Sequence, residues 1–435
     1  MDLSTHDVVI TPDVDYRQRM SSYLPRVVDE VLERRLRTSG GLLIRGPRAC
    51  GKTESARRLA RSEIRLDSSS PEVALARTDP MLALVGATPR LLDEWQEIPE
   101  IWNAVRHEID DRRERGQFIL TGSATPPDDA RRHPGAGRIS SVAMRTMTLG
   151  ERRAPGADAS LAALFDGTLL ANSGTSASVA DYADWLVSGG WPGWIDLPAS
   201  DARTNVRSYI EEISEHDYPE VAGARRDPRR MIAFLTAYAG VIGQPASYAA
   251  IARRIGEISG VEPSAALVPV LHDFAARLFL IEDQPAWATR LRSRTSLLQT
   301  PKRHLADPSL ALSLLGATPG RLLMDLETLG IAFESQAVHD LRVVADAMGA
   351  RGVFHLRDTK GRDEIDVVVE AEDGAWAGFE VKLSHRHLDA AAANLIRVAA
   401  KVERPPTALA VIIPTGPVAR RPDGVWVIPL ACLRP

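Results

Sequence analysis

Eight consecutive residues near the start of the chain have the types and spacing needed to bind phosphate. They fit the pattern G-x-x-x-x-G-K-[ST] and are Gly46, Pro47, Arg48, Ala49, Cys50, Gly51, Lys52 and Thr53. Glycine lets backbone N–H groups close around phosphate oxygens, and a helix predicted to follow adds partial positive charge. We predict that this loop binds ATP, with Lys52 on the β- and γ-phosphates and Thr53 on Mg²⁺. Strand-like residues before the loop and helical residues after it argue against a chance match.

Two acids directly follow a short apolar run, in the sequence Leu91-Leu-Asp-Glu94. In an ATP-hydrolysing site, one acid holds Mg²⁺ through water and a second polarises the water that attacks the γ-phosphate. These roles would fall to Asp93 and Glu94. The alternative is an acidic pair at a solvated strand end, and the upstream phosphate-binding loop favours the catalytic interpretation.

Three further polar residues are candidates for contact with the γ-phosphate. Thr121 and Ser123 end the strand-like segment Phe118-Ile-Leu-Thr-Gly-Ser123, where they could sense the γ-phosphate or the attacking water. A turn that requires Gly122 explains the same residues almost equally well. Arg138, just before the next apolar run, is a candidate arginine finger for a neighbouring subunit. A surface arginine in a flexible loop is the alternative.

A second group of candidate residues lies near the C-terminus. The segment Glu364-Ile-Asp-Val-Val-Val-Glu370 alternates like a strand, which predicts that Ile365, Val367 and Val369 share one face and that Asp366 points to the other. An Asp-Gly turn at 372–375 leads to a second strand at 378–383, on which Glu380 and Lys382 share a face. In a suitable register, Asp366, Glu380 and Lys382 converge.

Two carboxylates beside an ammonium group are what metal-assisted cleavage of a phosphodiester needs. The carboxylates hold Mg²⁺, and the lysine helps to activate water or stabilises developing charge. Lys382 is one of five lysines, with Lys52, Lys302, Lys360 and Lys401, and all other basic residues are arginine. That bias favours a site that wants a compact ammonium. The alternative is an exposed cross-strand ion pair among Asp366, Glu380 and Lys382.

The elements that position these residues follow an α/β pattern. Strand-like runs at 41–45, 90–92, 118–120 and 142–149 alternate with helical patterns, which predicts a parallel sheet with helices on both faces. The predicted domains are an ATPase domain at 1–153, a linker and small helical region at 154–229, a winged helix at 230–318 and an α/β domain at 319–435.

The middle of the chain has three helical segments followed by a candidate hairpin, the order of elements in a winged helix. Winged helices usually read nucleic acid. The candidate recognition helix, 263–278, has a single arginine, whereas base-reading helices expose Arg, Lys, Asn or Gln. The hairpin carries Arg290, Arg292 and Arg294, which could contact phosphates of DNA or RNA. A winged helix used for packing or protein contacts is at least an equal alternative.

The overall composition limits the classes of protein. Hydrophobic residues make up 44% and charged residues 25% of the 435 residues, an ordinary globular balance. The net charge of −4 provides no general basic field, so nucleic-acid binding would be local. Cys50 and Cys432 have no metal-ligand spacing, the acidic N-terminus does not resemble a signal peptide, and no apolar run has membrane-spanning length. We expect a cytoplasmic protein without membrane association.

These motifs resemble a widespread group of bacterial and archaeal AAA-type P-loop ATPases. The matching motifs of the N-terminal region are Gly46–Thr53, Leu92-Asp-Glu-Trp-Gln96, Leu120-Thr-Gly-Ser123 and Gly137-Arg138. The resemblance continues in Gly189-Gly-Trp-Pro192, in Lys302-Arg-His-Leu-Ala-Asp307 and in the C-terminal strands. It covers nearly the whole chain and implies an ATPase part followed by a C-terminal domain of unknown function.

The Asp…Glu-x-Lys arrangement resembles the PD-(D/E)XK nuclease superfamily. In that restriction-endonuclease-like fold, a helix precedes three strands and another follows them. Here helices are predicted at 320–345 and 384–402, with a further strand at 408–413. The resemblance implies that Glu334, on the first helix, is the additional acid of the site. It does not imply activity, because degenerate members keep the fold without cleaving.

Two functions fit these observations. In the first, an ATPase uses ATP and Mg²⁺ to drive a C-terminal module that processes DNA or RNA, and an arginine finger at Arg138 would require a homo-oligomer. In the second, the chain is a nucleotide-gated regulatory or binding protein whose nuclease-like domain is catalytically inactive and only docks a partner.

Overall fold

The computed structural model describes most of the chain. The described residues are 23–122, 135–152, 156–218, 227–261, 263–264, 266–288, 299–358 and 362–435. The sensor candidate Ser123 and the hairpin arginines Arg290, Arg292 and Arg294 lie outside them, so their roles stay predictions. Within the described ranges, no helix combines the length and apolar character needed to cross a bilayer.

The first sheet is parallel throughout, as predicted. Its strands are β1 (Gly41–Arg45), β2 (Ser62–Arg65), β3 (Arg90–Asp93), β4 (Phe118–Gly122) and β5 (Ile139–Ala143). They lie in the order β2-β3-β4-β1-β5. Because the carboxyl ends of parallel strands meet at one edge, the loop after β1, the acids after β3 and the end of β4 share that edge.

Two details of this sheet differ from the sequence prediction. The strand β2 is not predicted, because Ser62-Glu-Ile-Arg65 contains a single apolar residue. The predicted strand at 142–149 is wrong in its bounds, since β5 ends at Ala143. The apolar residues beyond it serve other contacts: the Met147 N–H donates to the Gly190 carbonyl, and Leu149 packs into the core of the C-terminal domain.

Helices cover both faces of this sheet. They are α1 (Asp29–Thr38), α2 (Lys52–Arg57), α3 (Pro71–Thr78) and α4 (Ile101–Arg112). Side chains alternate along β1, so Leu42 packs with Leu32 of α1 on one face. Leu43 packs with Val105 of α4 on the other face. This two-sided burial explains why β1 reads as a continuous apolar run.

Helices dominate the middle of the chain. They are α5 (Leu161–Phe165), α6 (Val179–Ser188), α7 (Ala199–Glu212), α8 (Pro228–Ala239), α9 (Tyr248–Ser259), α10 (Leu267–Arg277) and α11 (Pro308–Leu314). A π-helical turn, Ile213–Asp217, continues α7. The helices α7 to α11 share one core, which includes Phe234, Tyr238 and Leu271. The three helices predicted between 230 and 283 are present as α8, α9 and α10.

The hairpin predicted after these helices is represented, among the described residues, by isolated bridges. Ile281 bridges Leu305, and Gln284 bridges Lys302, both antiparallel. Ala286 bridges His355 of the C-terminal domain. The described part of the hairpin therefore lies against the C-terminal domain, and the winged-helix interpretation stays a prediction.

Within the described part of the chain, the second sheet has seven strands and is mixed. Its strands are β7 (Asn172–Thr175), β8 (Gly352–Arg357), β9 (Glu364–Glu370), β10 (Trp376–Val381), β11 (Ala408–Ile413), β12 (Gly416–Arg420) and β13 (Trp426–Pro429). They lie in the order β7-β12-β13-β11-β10-β9-β8. Strands β8, β9 and β10 are antiparallel, whereas β11 joins β10 in parallel and β13 joins β11 in parallel. The strands predicted at 364–370 and 408–413 have the observed bounds.

The first part of the region 154–229, predicted to begin as a linker, instead contributes strands to the C-terminal region between residues 156 and 178. The strand β7 pairs with β12, and β6 (Ala159–Ser160) pairs with β14 (Leu433–Arg434). Gly174 shows why small residues are needed, since a Cβ there would lie 1.8 Å from the Gly416 carbonyl oxygen. Backbone pairing needs no apolar pattern, so the composition of this segment gives no strand signal.

Three helices flank the second sheet: α12 (Pro319–Met324), α13 (Leu326–Met348) and α14 (Leu388–Ala399). The single helix predicted at 320–345 is wrong, because Asp325 ends α12 and caps α13 by accepting the Thr328 N–H. The helix α14 is shorter than the predicted 384–402.

A bulge in β9 changes which of its residues share a face. Between β8 and β9, Phe354 pairs with Val368 and Leu356 pairs with Ile365, so β9 carries one extra residue there. Val367 and Val369 share a face, as predicted, and pack with α13. Ile365 packs with Val368 and α14 instead, so its predicted face is wrong.

Candidate functional site

The phosphate-binding loop joins the end of β1 to the start of α2. Gly51, at the N-cap of α2, has a φ of 103°, which L side chains rarely adopt. A Cβ at Gly46 would lie 2.0 Å from the Met144 carbonyl oxygen. The backbone itself therefore requires both defined glycines of the motif.

The side chain of Lys52 is buried within this loop. Its Nζ donates to the carbonyl oxygens of Gly46 at 3.0 Å and Pro47 at 2.8 Å. These two bonds hold the ammonium group at the loop that is predicted to surround the phosphates. The lysine is thus placed by backbone acceptors rather than by a carboxylate.

Two hydroxyl groups converge on Asp93. Thr53, at the start of α2, donates to Asp93 Oδ1 at 2.8 Å, and Thr121 of β4 donates to the same oxygen at 2.5 Å. Burial raises the pKa of Asp93 above its ordinary value, and the two donated hydrogen bonds oppose that rise. The structure therefore brings Thr53, Asp93 and Thr121 together at the carboxyl edge of the sheet.

Glu94 follows Asp93 in an unusual backbone conformation. Its φ of 54° is in the left-handed region, which non-glycine residues adopt infrequently. Its N–H donates to Thr121 Oγ1 at 3.3 Å, and Gln96 Nε2 donates to its carboxylate. Conformations of this kind cluster at functional sites, where surrounding contacts maintain them. The turn directs Glu94 away from the continuation of β3.

Arg138 lies at the opposite edge of the sheet from the phosphate-binding loop. Its carbonyl oxygen accepts the N–H of Gly41, the first residue of β1, whereas the loop follows the last residue. Its Nε donates to both carboxylate oxygens of Asp110, at 2.7 and 2.9 Å. The length of β1 therefore separates Arg138 from the loop of its own chain. Only the site of another subunit is compatible with a finger role.

Arg26 links the phosphate-binding loop to the end of β5. Its Nη1 donates to the Cys50 carbonyl at 2.7 Å, and its Nη2 donates to the Arg145 carbonyl at 2.8 Å. Its Nε donates to Glu151 Oε1 at 3.1 Å. The guanidinium is buried, so each contact replaces one made to water.

The helical region also contacts the loop. Arg48 Nη1 lies 3.1 Å from Asp217 Oδ1, in the π-helical turn after α7. Pro192, in the Gly189-Gly-Trp-Pro192 motif, lies against Gly51 of the loop. A π-helical turn often marks a functional position. These contacts place the helical region where it can respond to the loop.

The side chain of Arg145 connects three parts of the chain. It pairs with Glu282 at 2.5 Å and with Asp346 of α13 at 2.6 Å. Arg342 donates to the Glu282 carbonyl at 2.7 Å. Burial opposes ionisation of Glu282, but Arg145 and Arg342 hold its pKa well below the ordinary value. Arg26 donates both to the Arg145 carbonyl and to the Cys50 carbonyl of the phosphate-binding loop. A single residue, Arg26, therefore connects the ion pairs of Arg145 to that loop.

Asp307 ties the segment after β5 to the Gly189-Gly-Trp-Pro192 turn and to α11. Its Oδ2 accepts from Thr146 Oγ1 at 2.7 Å and from the Gly190 N–H at 2.9 Å. Its Oδ1 accepts from the Ser309 N–H at 2.9 Å and so caps α11. The aspartate that ends the Lys302–Asp307 motif is therefore an internal anchor.

The four residues predicted for a nuclease site lie in one cluster. Lys382 Nζ donates to Asp366 Oδ2 at 3.2 Å and to Glu380 Oε2 at 2.5 Å. Glu334 of α13 joins them through Lys302, whose Nζ lies 2.8 Å from its carboxylate. The cross-strand ion pair of the alternative interpretation is present, but its acids Asp366 and Glu380 are buried, at 8% and 5% exposed. A role in cleavage stays a prediction.

Sequence reasoning missed two members of this cluster, Lys302 and Glu364. Lys302 lies 3.0 Å from Glu364 Oε1 and 3.5 Å from Asp366 Oδ1, but it is distant from both in sequence. A signal was present, because Lys302 is a rare lysine within a recognised motif. Its partners could not be deduced, since they lie on different elements. The contacts of Arg26 and Arg145 were missed for the same reason.

Comparison with known families divides the chain into three matched regions. Residues 39–152 match the family described as "AAA domain". Residues 179–321 and 329–433 match two families described as "Domain of unknown function", DUF8612 and DUF4143. The N-terminal region, with its parallel sheet and P-loop, is therefore an AAA-type ATPase domain.

Similar proteins exist over most of the chain. Two uncharacterized proteins, from Mycobacterium tuberculosis and Mycobacterium bovis, are each 26% identical over 355 residues, covering 81% of this chain and 72% of theirs. The solved structure titled as the Walker-type ATPase paby2304 of Pyrococcus abyssi has 15% identity and a TM-score of 0.40, covering 66% of this chain and 94% of that one.

A second solved structure is also similar in part. The ORC2 protein of Aeropyrum pernix, in ADPNP and ADP complexes, has 12% identity and a TM-score of 0.18, covering 76% of this chain and 97% of that one. The TM-scores of both solved structures are low, so function is argued from the residues.

Proposed function

We propose that this chain is a Mg²⁺-dependent ATPase whose AAA-type domain acts on a nuclease-like, nucleic-acid-associated C-terminal module. One observation carries the ATPase part. Thr53, which belongs to the phosphate-binding loop, and Thr121, the penultimate residue of β4, both donate to one oxygen of Asp93. A hydroxyl and a carboxylate beside a P-loop lysine are the groups that a nucleotide–metal complex needs.

The residues at this site fit Mg²⁺ bound with ATP. Hard cations of this size take oxygen ligands, and the Thr53 hydroxyl and the Asp93 carboxylate provide them. When bound, Mg²⁺ supplies charge neutralisation of the β- and γ-phosphates. Lys52 adds a further positive charge from the loop, and the loop N–H groups bind phosphate oxygens.

Glu94 is the residue proposed to orient the attacking water. The hydrogen bonds from Gln96 to its carboxylate and from its N–H to Thr121 fix its position relative to β4. Thr121 would then report the state of the γ-phosphate to Asp93 and Glu94 together. Ser123 would act beside it. The left-handed backbone conformation of Glu94 costs conformational free energy. Such strained conformations cluster at functional sites, which supports a functional role for this residue.

Communication with the rest of the chain is proposed to run through Arg26 and Arg145. Arg26 holds the Cys50 carbonyl of the loop and the Arg145 carbonyl. Arg145 in turn holds Glu282 and Asp346. Phosphate binding that shifts the loop would shift this chain of contacts, which ends on α13 of the C-terminal domain.

The C-terminal module is proposed to have a restriction-endonuclease-like fold. The order of its elements supports this: α13, three antiparallel strands, α14, and a strand parallel to β10. The convergence of Glu334, Asp366, Glu380 and Lys382 on this scaffold supports it further. DNA or RNA is the class of partner that the fold favours. Cleavage would depend on whether these carboxylates can hold Mg²⁺.

The ATPase proposal is tested with two substitutions in the full chain. Lys52→Ala is expected to abolish binding of a fluorescent ATP analogue, because the ammonium group no longer meets the phosphates. Glu94→Gln is expected to bind ATP with near wild-type affinity but to hydrolyse it about 10² times more slowly. Equilibrium titration and steady-state phosphate release measure the two effects.

Matched controls separate these effects from general damage. Lys401→Ala removes an exposed lysine of the C-terminal domain, and Glu100→Gln alters an exposed acid of the ATPase domain. Both controls are expected to behave as wild type. Wild-type turnover by Glu94→Gln would remove its role, and no affinity of the folded wild type for ATP with Mg²⁺ would refute the ATPase.

A further inference from the structure

The ammonium group of Lys302 lies inside the carboxylate cluster of the C-terminal module. Its Nζ is 2.8 Å from Glu334 Oε1, 3.0 Å from Glu364 Oε1 and 3.5 Å from Asp366 Oδ1. The side chain is 3% exposed. Lys302 therefore occupies the space that these three acids share.

Protein donors also satisfy the remaining oxygens of the two strand acids. Asp366 Oδ2 accepts from the Val381 N–H at 2.9 Å as well as from Lys382. Glu380 accepts from Lys382 through Oε2 and from Asn394 Nδ2 through Oε1, at 3.0 Å. Both oxygens of Asp366 and both of Glu380 thus have a protein partner.

The segment that carries Lys302 is anchored on both sides of the side chain. The Lys302 N–H and carbonyl pair with Gln284, and Gln284 Nε2 donates to the Asp366 carbonyl at 3.0 Å. Arg303 Nε donates to the Ala246 carbonyl at 2.9 Å. His304 Nδ1 contacts Ser335 Oγ at 2.9 Å. Retraction of the lysine would require this whole segment to move.

Energetics favour retention of the lysine. Burial alone would lower the pKa of Lys302, but Glu334, Asp366 and Glu364 raise it well above its ordinary value, so the ammonium is charged. Removing one partner from a buried ion pair is strongly destabilising, because the remaining charge is left uncompensated. Expelling the lysine to admit a metal would separate this buried ammonium group from all three of its carboxylate partners.

The cluster therefore does not fit the metal that a PD-(D/E)XK-like fold implies. Mg²⁺ needs oxygens at about 2.0–2.1 Å in near-octahedral geometry around free space. Among the residues that the structure describes, no group of three or more His, Cys, Asp or Glu side chains is arranged to hold a metal ion. The cation-binding position is filled by a side chain of the same molecule.

We propose that Lys302 is the resident cation of this cluster, so that the C-terminal module binds no divalent metal and does not cleave nucleic acid. The lysine instead fastens the segment before α11 to the sheet of the C-terminal domain. This inference rests on the proposed nuclease-like fold and is independent of the ATPase. It selects the second of the two sequence-based hypotheses for this module, a nuclease-like domain without catalysis.

The test is Mn²⁺ binding by the full chain without nucleotide, followed by electron paramagnetic resonance. The wild type is expected to show no site that depends on Asp366. Lys302→Met vacates the shared space and is expected to increase Mn²⁺ affinity about tenfold or more. Adding Asp366→Asn to Lys302→Met is expected to abolish that gain. Lys401→Met, at an exposed lysine, is the matched control and should gain nothing.

Several outcomes would overturn the proposal. One is a wild-type Mn²⁺ site that Asp366→Asn removes, and another is Mg²⁺-dependent cutting of plasmid DNA or RNA by wild type that Asp366→Asn abolishes. A folded Lys302→Met protein with no gain would do the same. If Lys302→Met does not fold, Mn²⁺ binding by Lys302→Gln and by the wild type still tests whether Lys302 excludes the metal. ATP turnover of the same preparation reports separately on the ATPase.

Discussion

Buried charge is used in this molecule to hold segments that are far apart in sequence. Arg26, Arg145 and Lys302 each reach carboxylates or carbonyl oxygens contributed by several elements. A buried ion pair adds little to stability relative to an apolar pair, but it strongly penalises any arrangement in which one partner is missing. These residues therefore specify how the regions dock more than they add to stability.

The Glu282–Arg145 contact is expected to make stability depend on pH. The arginines hold the folded-state pKa of Glu282 below its unfolded value, so its contribution is present above the unfolded pKa and is lost as pH falls toward the folded one. Glu282→Gln should lower the thermal midpoint at pH 7. The difference from wild type should shrink between about pH 5 and pH 3.

Thermal unfolding followed by circular dichroism across this pH range checks the prediction. Glu211→Gln is the control, because Glu211 lies 3.9 Å from Arg207 in an exposed pair. Exposed pairs contribute about 0–1 kcal/mol, so this control should change the midpoint little. A loss in Glu282→Gln that stays constant with pH would rule out the ionic contribution.

At the level of elements, the Gly189-Gly-Trp-Pro192 turn is the joint between the helical region and the ATPase domain. A Cβ at Gly190 would lie 2.2 Å from the Met147 carbonyl oxygen, and Trp191 Nε1 donates to Ser309 Oγ at 3.1 Å. The turn thus packs against the segment after β5 on one side and α11 on the other. The resemblance singled out these residues, and close backbone approach is the physical reason for them.

Gly190→Ala is expected to destabilise the protein by about 1–3 kcal/mol, because the added methyl group overlaps a backbone atom that cannot easily move. Gly193→Ala, directly after the motif, is the matched control, since a Cβ there meets nothing within 4 Å. Urea unfolding of both variants measures the difference. Equal stability of the two variants would show that the turn can relax.

Sequence patterns predicted those elements whose structure is determined by residues within the element itself. The bounds of β9 and β11 follow from their apolar residues, and the P-loop follows from its own spacing. The strand β7 was unpredictable because Asn172-Ser-Gly-Thr175 has no apolar pattern and pairs with a distant strand. The bulge that turns Ile365 toward α14 depends on pairing with β8. Lys302 was recognised as unusual, but its partners arise only from tertiary structure.

On the scale of the whole molecule, the ATPase domain presents its two edges to different neighbours. The carboxyl edge of its sheet, with the P-loop, faces the helical region and α13 of the same chain. At the amino edge, the ion-pair partner that the structure gives Arg138 is Asp110 of the same domain. We propose that the amino edge is used between subunits of a homo-oligomer, where Arg138 would reach the γ-phosphate of the next site.

Mixing two inactive variants tests this arrangement. Arg138→Ala should lower ATP turnover on the order of 10³-fold, because transition-state charge loses its partner. Glu94→Gln subunits still supply Arg138, so adding them to Arg138→Ala subunits should restore turnover at mixed interfaces. Phosphate release at varied mixing ratios measures the rescue. Arg65→Ala, at an exposed arginine, is the control.

Absence of rescue, or full turnover by a protein that sedimentation shows to be monomeric, would exclude a finger in trans. Arg138 would then be a surface residue held by Asp110.

The strand β7 comes from the chain before the helical region, yet it closes one edge of the C-terminal sheet. A fragment that starts at residue 319 would leave β12 without this neighbour, and unpaired strand edges recruit other chains. The same cut would remove Lys302 from its buried carboxylates. A fragment with boundaries drawn from the linear sequence would therefore be prone to aggregate and would contain buried carboxylates without their lysine partner. The functions of this protein are better separated by point substitutions in the intact chain.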